Sequence, residues 1–168
     1  NRLTAPELVR VVEWKLARGK FRPNLVKFAR AHTEATAGEA TGEALKRFAD
    51  AIDKNKKRDK NWLAACLAPL VDLKGIGPAT ASAVLAAATP FIPMMSDELI
   101  AVALPNATSS QMYSMQRLQA LVDTTRAKAK RVGMTPREVE RAIFAEAAKT
   151  KKPKTAAAKT TGVKRKAS

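Results

Sequence analysis

An all-α fold, a compact domain of about seven or eight helices carrying a helix-hairpin-helix motif and a disordered basic C-terminal tail, is what this sequence predicts. Three observations lead there. Apolar residues recur at intervals of three and four along most of the chain, alanine and leucine dominate, and no stretch shows the sustained alternation of a half-buried strand. The hydrophobic content of 46% over 168 residues suffices for one core of moderate size. No fixed-period repeat is visible, which argues against a solenoid.

The first helix opens on the capping box Thr4-Ala5-Pro6-Glu7, carries Leu8, Val11, Val12 and Leu16 at helical spacing, and stops at Gly19. Lys20-Phe21-Arg22-Pro23-Asn24 is a basic turn from which Pro23 opens a short helix with Leu25, Val26, Phe28 and Ala29. His32 ends it as a capping or surface residue. From Thr33 to Gly42 the sequence is small and polar, and a third helix is expected from about Gly42 to Asp53, with Leu45, Phe48, Ala49 and Ile52 on one face. Lys54 to Lys60 form a charged connector, after which Asp59 or Asn61 caps an apolar helix. Beyond the next helix, Pro90-Phe91-Ile92-Pro93 is extended, Ser96 caps a helix through Val102, and a longer one spans Ser109 to Val132 before Gly133. Thr135-Pro136-Arg137-Glu138 repeats the capping box and starts a last helix through about Ala148.

The division is therefore a helical domain over residues 1–148 and a tail over 149–168. The tail holds eight basic residues and no acid; without it 23 basic residues still face 15 acidic ones, a net charge of +8 against +16 for the whole chain. A folded part this basic favours a polyanion, through release of counterions, over a neutral partner. The Lys151-Lys152-Pro153-Lys154 and Lys164-Arg165-Lys166 clusters resemble nuclear-import signals, so a nuclear location is expected. No apolar run approaches the roughly 18 residues of a membrane span, and no membrane partner is expected. The only cysteine, Cys66, excludes a disulfide or a cysteine-based metal centre within the chain and reads as a small buried hydrophobe.

The most informative segment is Leu73-Lys74-Gly75-Ile76-Gly77-Pro78-Ala79-Thr80. A Gly-x-Gly turn lets another backbone approach closely, and the helix starting near Pro78 leaves amides without internal partners at its positive end, an anion site. Lys74, Gly75, Ile76, Gly77, Ala79 and Thr80 are the expected phosphate contacts. Lys15, Arg18, Lys20 and Arg22 form a second basic cluster beside Trp14 and Phe21, which either stack on a displaced base or belong to the core, the latter being the preferred reading.

Leu73 to Leu85, with Pro90 and Pro93 before Asp97, resemble the helix-hairpin-helix DNA glycosylase superfamily typified by endonuclease III. The resemblance implies a duplex DNA partner and a role in repair or chromatin. It also implies that Asp97, as the catalytic carboxylate, stabilises positive charge on the deoxyribose or assists a water while a damaged base leaves. Such an aspartate favours an oxocarbenium-like transition state in a water-poor pocket, once the base has left the stack. The alternative reading of Asp97 is a first-turn helix residue beside Ser96. Departures are plain: Ala79 stands where bifunctional members carry a nucleophilic lysine, so lyase chemistry is not expected. Glu98 and Leu99 replace a Thr/Ser-His pair, and the four-cysteine cluster is missing. No cofactor is expected beyond a monovalent cation that such hairpins hold on their carbonyls. Backbone binding to duplex DNA, monofunctional base excision and RNA or ribosome binding are thus the three readings the sequence carries.

Overall fold

The computed structural model of the chain describes residues 2–19, 21–52, 59–105 and 112–150, and among these it is all-helical, without strands. Eight helices follow in order: α1 (Ala5–Ala17), α2 (Pro23–Arg30), α3 (Glu34–Ile52), α4 (Trp62–Val71), α5 (Pro78–Ala88), α6 (Asp97–Ala103), α7 (Met115–Val132) and α8 (Pro136–Thr150). The expected connector and tail lie, but for Asp59, Lys60, Lys149 and Thr150, outside the described residues.

Helix α5 is the axis of the domain. Ala79 to Ala86 are all buried, and α1, α3, α4 and α7 all pack against it. Small side chains explain the arrangement: a helix of alanine, serine and threonine lets neighbouring helices approach on every side, and its even hydrophobicity marks a core element. Ser82 avoids an unpaired buried hydroxyl by donating to the Ala79 carbonyl (2.9 Å) while accepting from the Met95 amide (2.9 Å). That second bond fixes the strand-like approach to α6.

Both capping boxes form. The Thr4 hydroxyl accepts from the Glu7 amide, and Glu7 accepts from the Thr4 amide at 2.8 Å; Thr135 and Glu138 repeat the exchange at the head of α8. Glu34, from the start of α3, adds a bond to the Ala5 amide at 2.8 Å.

Helix α3 begins eight residues earlier than its apolar face suggests. Thr33 caps it through the Thr36 amide, and Ala37, Gly38, Thr41, Ala44 and Phe48 form its buried stripe. Small residues here are the contact surface itself, because Thr41 takes the Leu3 amide on its hydroxyl (2.9 Å) and Gly38 leaves room for Arg2. Helix α7 starts at Met115, capped by Ser114, while the expected start at Ser109 lies outside the described residues; α8 runs to Thr150, two residues past Ala148.

Pro69 lies inside α4 and cannot donate to the Ala65 carbonyl one turn back. The Arg47 guanidinium of α3 supplies that missing donor at 3.0 Å, and the Phe48 and Trp62 rings meet beside it at 6.0 Å. Cys66 is buried on the same helix, and burial pushes its thiol up to about 11. At pH 8 only about one thiol in a thousand is then thiolate, so iodoacetamide should label Cys66 far more slowly in the native chain than in urea; equal rates would contradict its burial.

Candidate nucleic-acid interface

The connection between α4 and α5 is built from the core outward. The chain leaves α4 through Asp72, the Ile76 amide donates to the Leu73 carbonyl at 3.0 Å to close a tight turn, and Ile76, 3% exposed, anchors it in the core. Gly75 occupies the left-handed region at φ +85°, where a side chain is strained and a Cβ would lie 2.6 Å from Cβ of Phe28. Gly77 differs. It is extended, exposed and surrounded by open space, and its carbonyl starts α5 by accepting from the Thr80 and Ala81 amides at 2.9 Å.

The turn's donors divide accordingly. Ile76 and Thr80 spend their amides internally, whereas those of Lys74, Gly75, Gly77 and Ala79 find no acceptor among the described residues. The Ala79 and Thr80 side chains are buried at 6% and 3% exposure, so only main-chain atoms there can reach a ligand. Lys74 and Gly77 are exposed at the surface.

Helix α2 braces the turn from outside. Phe28 fills the space that Gly75 leaves, the Lys74 ammonium lies 5.1 Å from the Phe28 ring centroid, and His32 Nε2 donates to the Lys74 carbonyl at 3.0 Å. His32 is thus neither a simple helix cap nor a free surface group. It fixes the base of the lysine whose charge stands at the turn.

At its other end, α2 begins beside the second basic cluster. Arg22, six residues before Phe28, is separated from it by about 9 Å of helical rise, so one short helix joins the two groups. Here the structure assembles Lys15, Arg22, Asp97 and Tyr113 around one small cavity. The Tyr113 hydroxyl donates to Asp97 Oδ1 at 2.5 Å, the Arg22 guanidinium stands 5.7 Å from the Tyr113 ring centroid, and Gly19 passes close to Asp97 Oδ2. Burial, and then the charge of Arg22, push the Lys15 ammonium below the usual lysine range, while Asp97 pulls the other way. Burial and the bond to Asp97 hold the Tyr113 phenol above its usual range, so it is protonated and donating at neutral pH.

The remaining cluster residues fare differently. Arg18 is committed inside: it pairs with Glu140 of α8 through two bonds of 2.7 and 3.3 Å and lies 3.8 Å from the Phe144 ring centroid, with its side chain 11% exposed. It is not available to a phosphate. Lys20 lies outside the described residues. Trp14 and Phe21 are exposed at 38% and 66%, against the preferred expectation of core positions, because Trp14 covers Arg18 and Phe21 borders an open groove between α1 and α2. Trp62 is buried as expected.

Asp97 borders two hollows: a groove of about 520 Å³ against α8, and the cavity it shares with Tyr113, which is about 30 Å³. That is about one water molecule's share of liquid volume and roughly a tenth of the smallest ordinary ligand pocket. Asp97 itself is exposed, and Ser96 caps α6 with a bond from the Leu99 amide. Among the described residues no group of three or more His, Cys, Asp or Glu side chains is placed to hold a metal, and no helix is long and apolar enough to cross a membrane. Sequence reasoning missed Tyr113, whose partner lies 16 residues away with no local pattern to announce it.

Compared with known proteins, the chain matches no family model, no curated protein and no solved structure.

Proposed function

We propose that this protein binds duplex nucleic acid, DNA in the first place, through backbone phosphates and without strong sequence preference. The α4–α5 connection acts as a helix-hairpin-helix turn. The observation that carries the reading is the set of unpaired main-chain donors at Lys74, Gly75, Gly77 and Ala79, beside an exposed lysine and at the positive end of the core helix α5. Amides recognise phosphate oxygens and carry no base code, so register and affinity come without a motif. Arg22 and Lys15, at the far end of α2, extend the positive surface, and the basic residues after Thr150 add long-range attraction. A monovalent cation would use the second lone pairs of the Leu73 and Lys74 carbonyls, each of which already accepts one protein hydrogen bond; the Gly77 carbonyl already accepts two, from the Thr80 and Ala81 amides. A nuclear role in repair or chromatin fits this chemistry.

Base excision with Asp97 as the catalytic group ranks second, since the cavity that carboxylate shares with Tyr113 has no room for a base and the larger groove on its α8 side is lined chiefly by the apolar Ala101, Val102, Ile143 and Ala147. RNA binding ranks third, and competition of structured RNA against duplex DNA separates it.

Gly77→Glu tests the reading. Open space around Gly77 and its ordinary extended φ mean that the fold tolerates the change, and a carboxylate at the start of α5 even suits the helix dipole. Facing a phosphate, it repels. Duplex affinity of the chain shortened after Thr150 should fall at least about tenfold in fluorescence anisotropy at low salt. An unchanged dissociation constant would reject this turn as the contact.

A further inference from the structure

Lys74 and Gly75 share one peptide unit, and His32 holds it. His32 Nε2 donates to the Lys74 carbonyl at 3.0 Å, while the Gly75 amide at the other end of the same unit meets no acceptor among the described residues. None of the described peptide bonds is cis, so this carbonyl and N–H point in opposite directions within one plane. A ring seated on the carbonyl therefore fixes that plane and aims the open Gly75 donor away from α2. A carbonyl that accepts a hydrogen bond also polarises its own peptide, which makes the N–H beyond it a stronger donor.

The second ring nitrogen carries the inference further. Donation from Nε2 puts the neutral ring's only proton there and leaves a lone pair on Nδ1, which has no partner among the described residues. A proton taken up at Nδ1 makes the ring an imidazolium without breaking the bond to Lys74. The charged ring donates more strongly and adds a positive charge to the turn. The charged side chains of the neighbouring elements are Lys74 and Asp72 of the turn, Lys27 and Arg30 of α2 and Glu34 at the head of α3. Arg30 is held by Glu13 at 2.8 Å, Glu34 is bonded to the Ala5 amide, and Lys27 lines the groove between α1 and α2. Lys74, stacked on Phe28, is thus the cation that an imidazolium would join at the turn, with Asp72 at its start.

We propose that His32 is a positioning residue of the phosphate site, and that uptake of a proton at its Nδ1 strengthens phosphate binding. The inference rests on the phosphate-binding reading of the turn and adds proton linkage to it. A bound phosphate favours the imidazolium. Affinity therefore rises as pH falls through the range, about 5 to 8, in which a histidine gains its charge.

His32 is the only histidine of the chain, so its removal isolates the effect. Duplex affinity is measured by fluorescence anisotropy at fixed low salt, from about pH 8 to about pH 5.5, for the full chain and for His32→Gln, His32→Ala and Gly77→Glu. Glutamine offers a neutral donor to the Lys74 carbonyl and takes up no proton. The unaltered chain should gain at least about threefold more affinity toward the acid end than His32→Gln does; carboxylates and the terminal amine titrate alike in both. At the alkaline end, where the ring is neutral, His32→Gln should lie closer to the unaltered chain than His32→Ala does. Parallel profiles for the unaltered chain and His32→Gln would overturn the proposal. If Gly77→Glu weakens binding while those profiles stay parallel, His32 alone is rejected; if Gly77→Glu binds as the unaltered chain does, the turn itself is rejected and the inference with it.

Discussion

Arg18→Met should lower the unfolding free energy by about 3–5 kcal/mol, the range for breaking a buried ion pair by removing one partner. Glu140 is 1% exposed, and its two carboxylate oxygens are both taken by the Arg18 guanidinium. Methionine keeps most of the volume but leaves that carboxylate desolvated and unpaired. The pair spans 122 residues of sequence and ties the end of α1 to α8, so its loss loosens the first and last helices together. Phe144 and Trp14 exclude water from the guanidinium, at 3.8 and 5.3 Å between its central carbon and their ring centroids. The pair need not be worth that much relative to an apolar replacement: Arg18→Met combined with Glu140→Leu should recover most of the loss, because no charge is then stranded. Urea midpoints at constant m-value decide the matter. A single-variant loss under about 1 kcal/mol, the size of an exposed pair, would mean that the pair is effectively solvated.

Gly75→Ala should cost about 2–5 kcal/mol, from two separable sources. A left-handed backbone costs a non-glycine residue roughly 1–2 kcal/mol, and forcing a methyl into packed space adds about 1–3 kcal/mol. The φ of +85° and the 2.6 Å approach to Phe28 place both at this position. Phe28→Ala in the same chain should relieve the overlap relative to Phe28→Ala alone, leaving only the backbone part, which a double-mutant cycle isolates. Gly77→Ala, two residues on, should be nearly silent in stability, because its φ is ordinary and no atom stands within 4 Å of the new methyl. Equal costs at the two glycines would contradict the turn's geometry. Duplex affinity should fall with Gly75→Ala too, since Phe28 and Lys74 shift with the turn.

Much of this architecture is legible in the sequence where the signal is local. Thr4 with Glu7, and Thr135 with Glu138, announce helix starts because both partners of each box lie within one turn. The even run from Pro78 to Ala88 reads as a helix, and the burial of Ala79 to Ala86 follows from residue size. What escaped is non-local or disguised. The stripe Ala37, Thr41, Ala44 and Phe48 has helical spacing but little hydrophobicity, so close packing by small residues resembled a polar loop. Trp14 and Phe21 resembled core residues by type, yet one shields an ion pair formed across the whole chain and the other stands at the surface.

The candidate site divides the same way. Gly75, Ile76 and Gly77 form a turn that any reader of Gly-x-Gly-Pro would draw, and Asp97 follows a serine cap. The bracing of Lys74 by His32 and Phe28, and the seating of Tyr113 on Asp97, are tertiary. No spacing rule links residues 42 or 16 positions apart. Arg18 is the sharpest lesson: in the sequence it is one cation in a basic cluster, and in the fold its charge is spent on Glu140.

The dependence of duplex affinity on salt, measured side by side for the chain shortened after Thr150 and for the same chain with Gly77→Glu, tests the central claim most directly. Each phosphate neutralised contributes about −0.9 to the slope of log K against log salt. The account predicts a steep negative slope for the unaltered sequence and one shallower by about one unit or more for Gly77→Glu. Two parallel, superimposed lines would contradict it, showing that the donors around Gly77 never meet a phosphate.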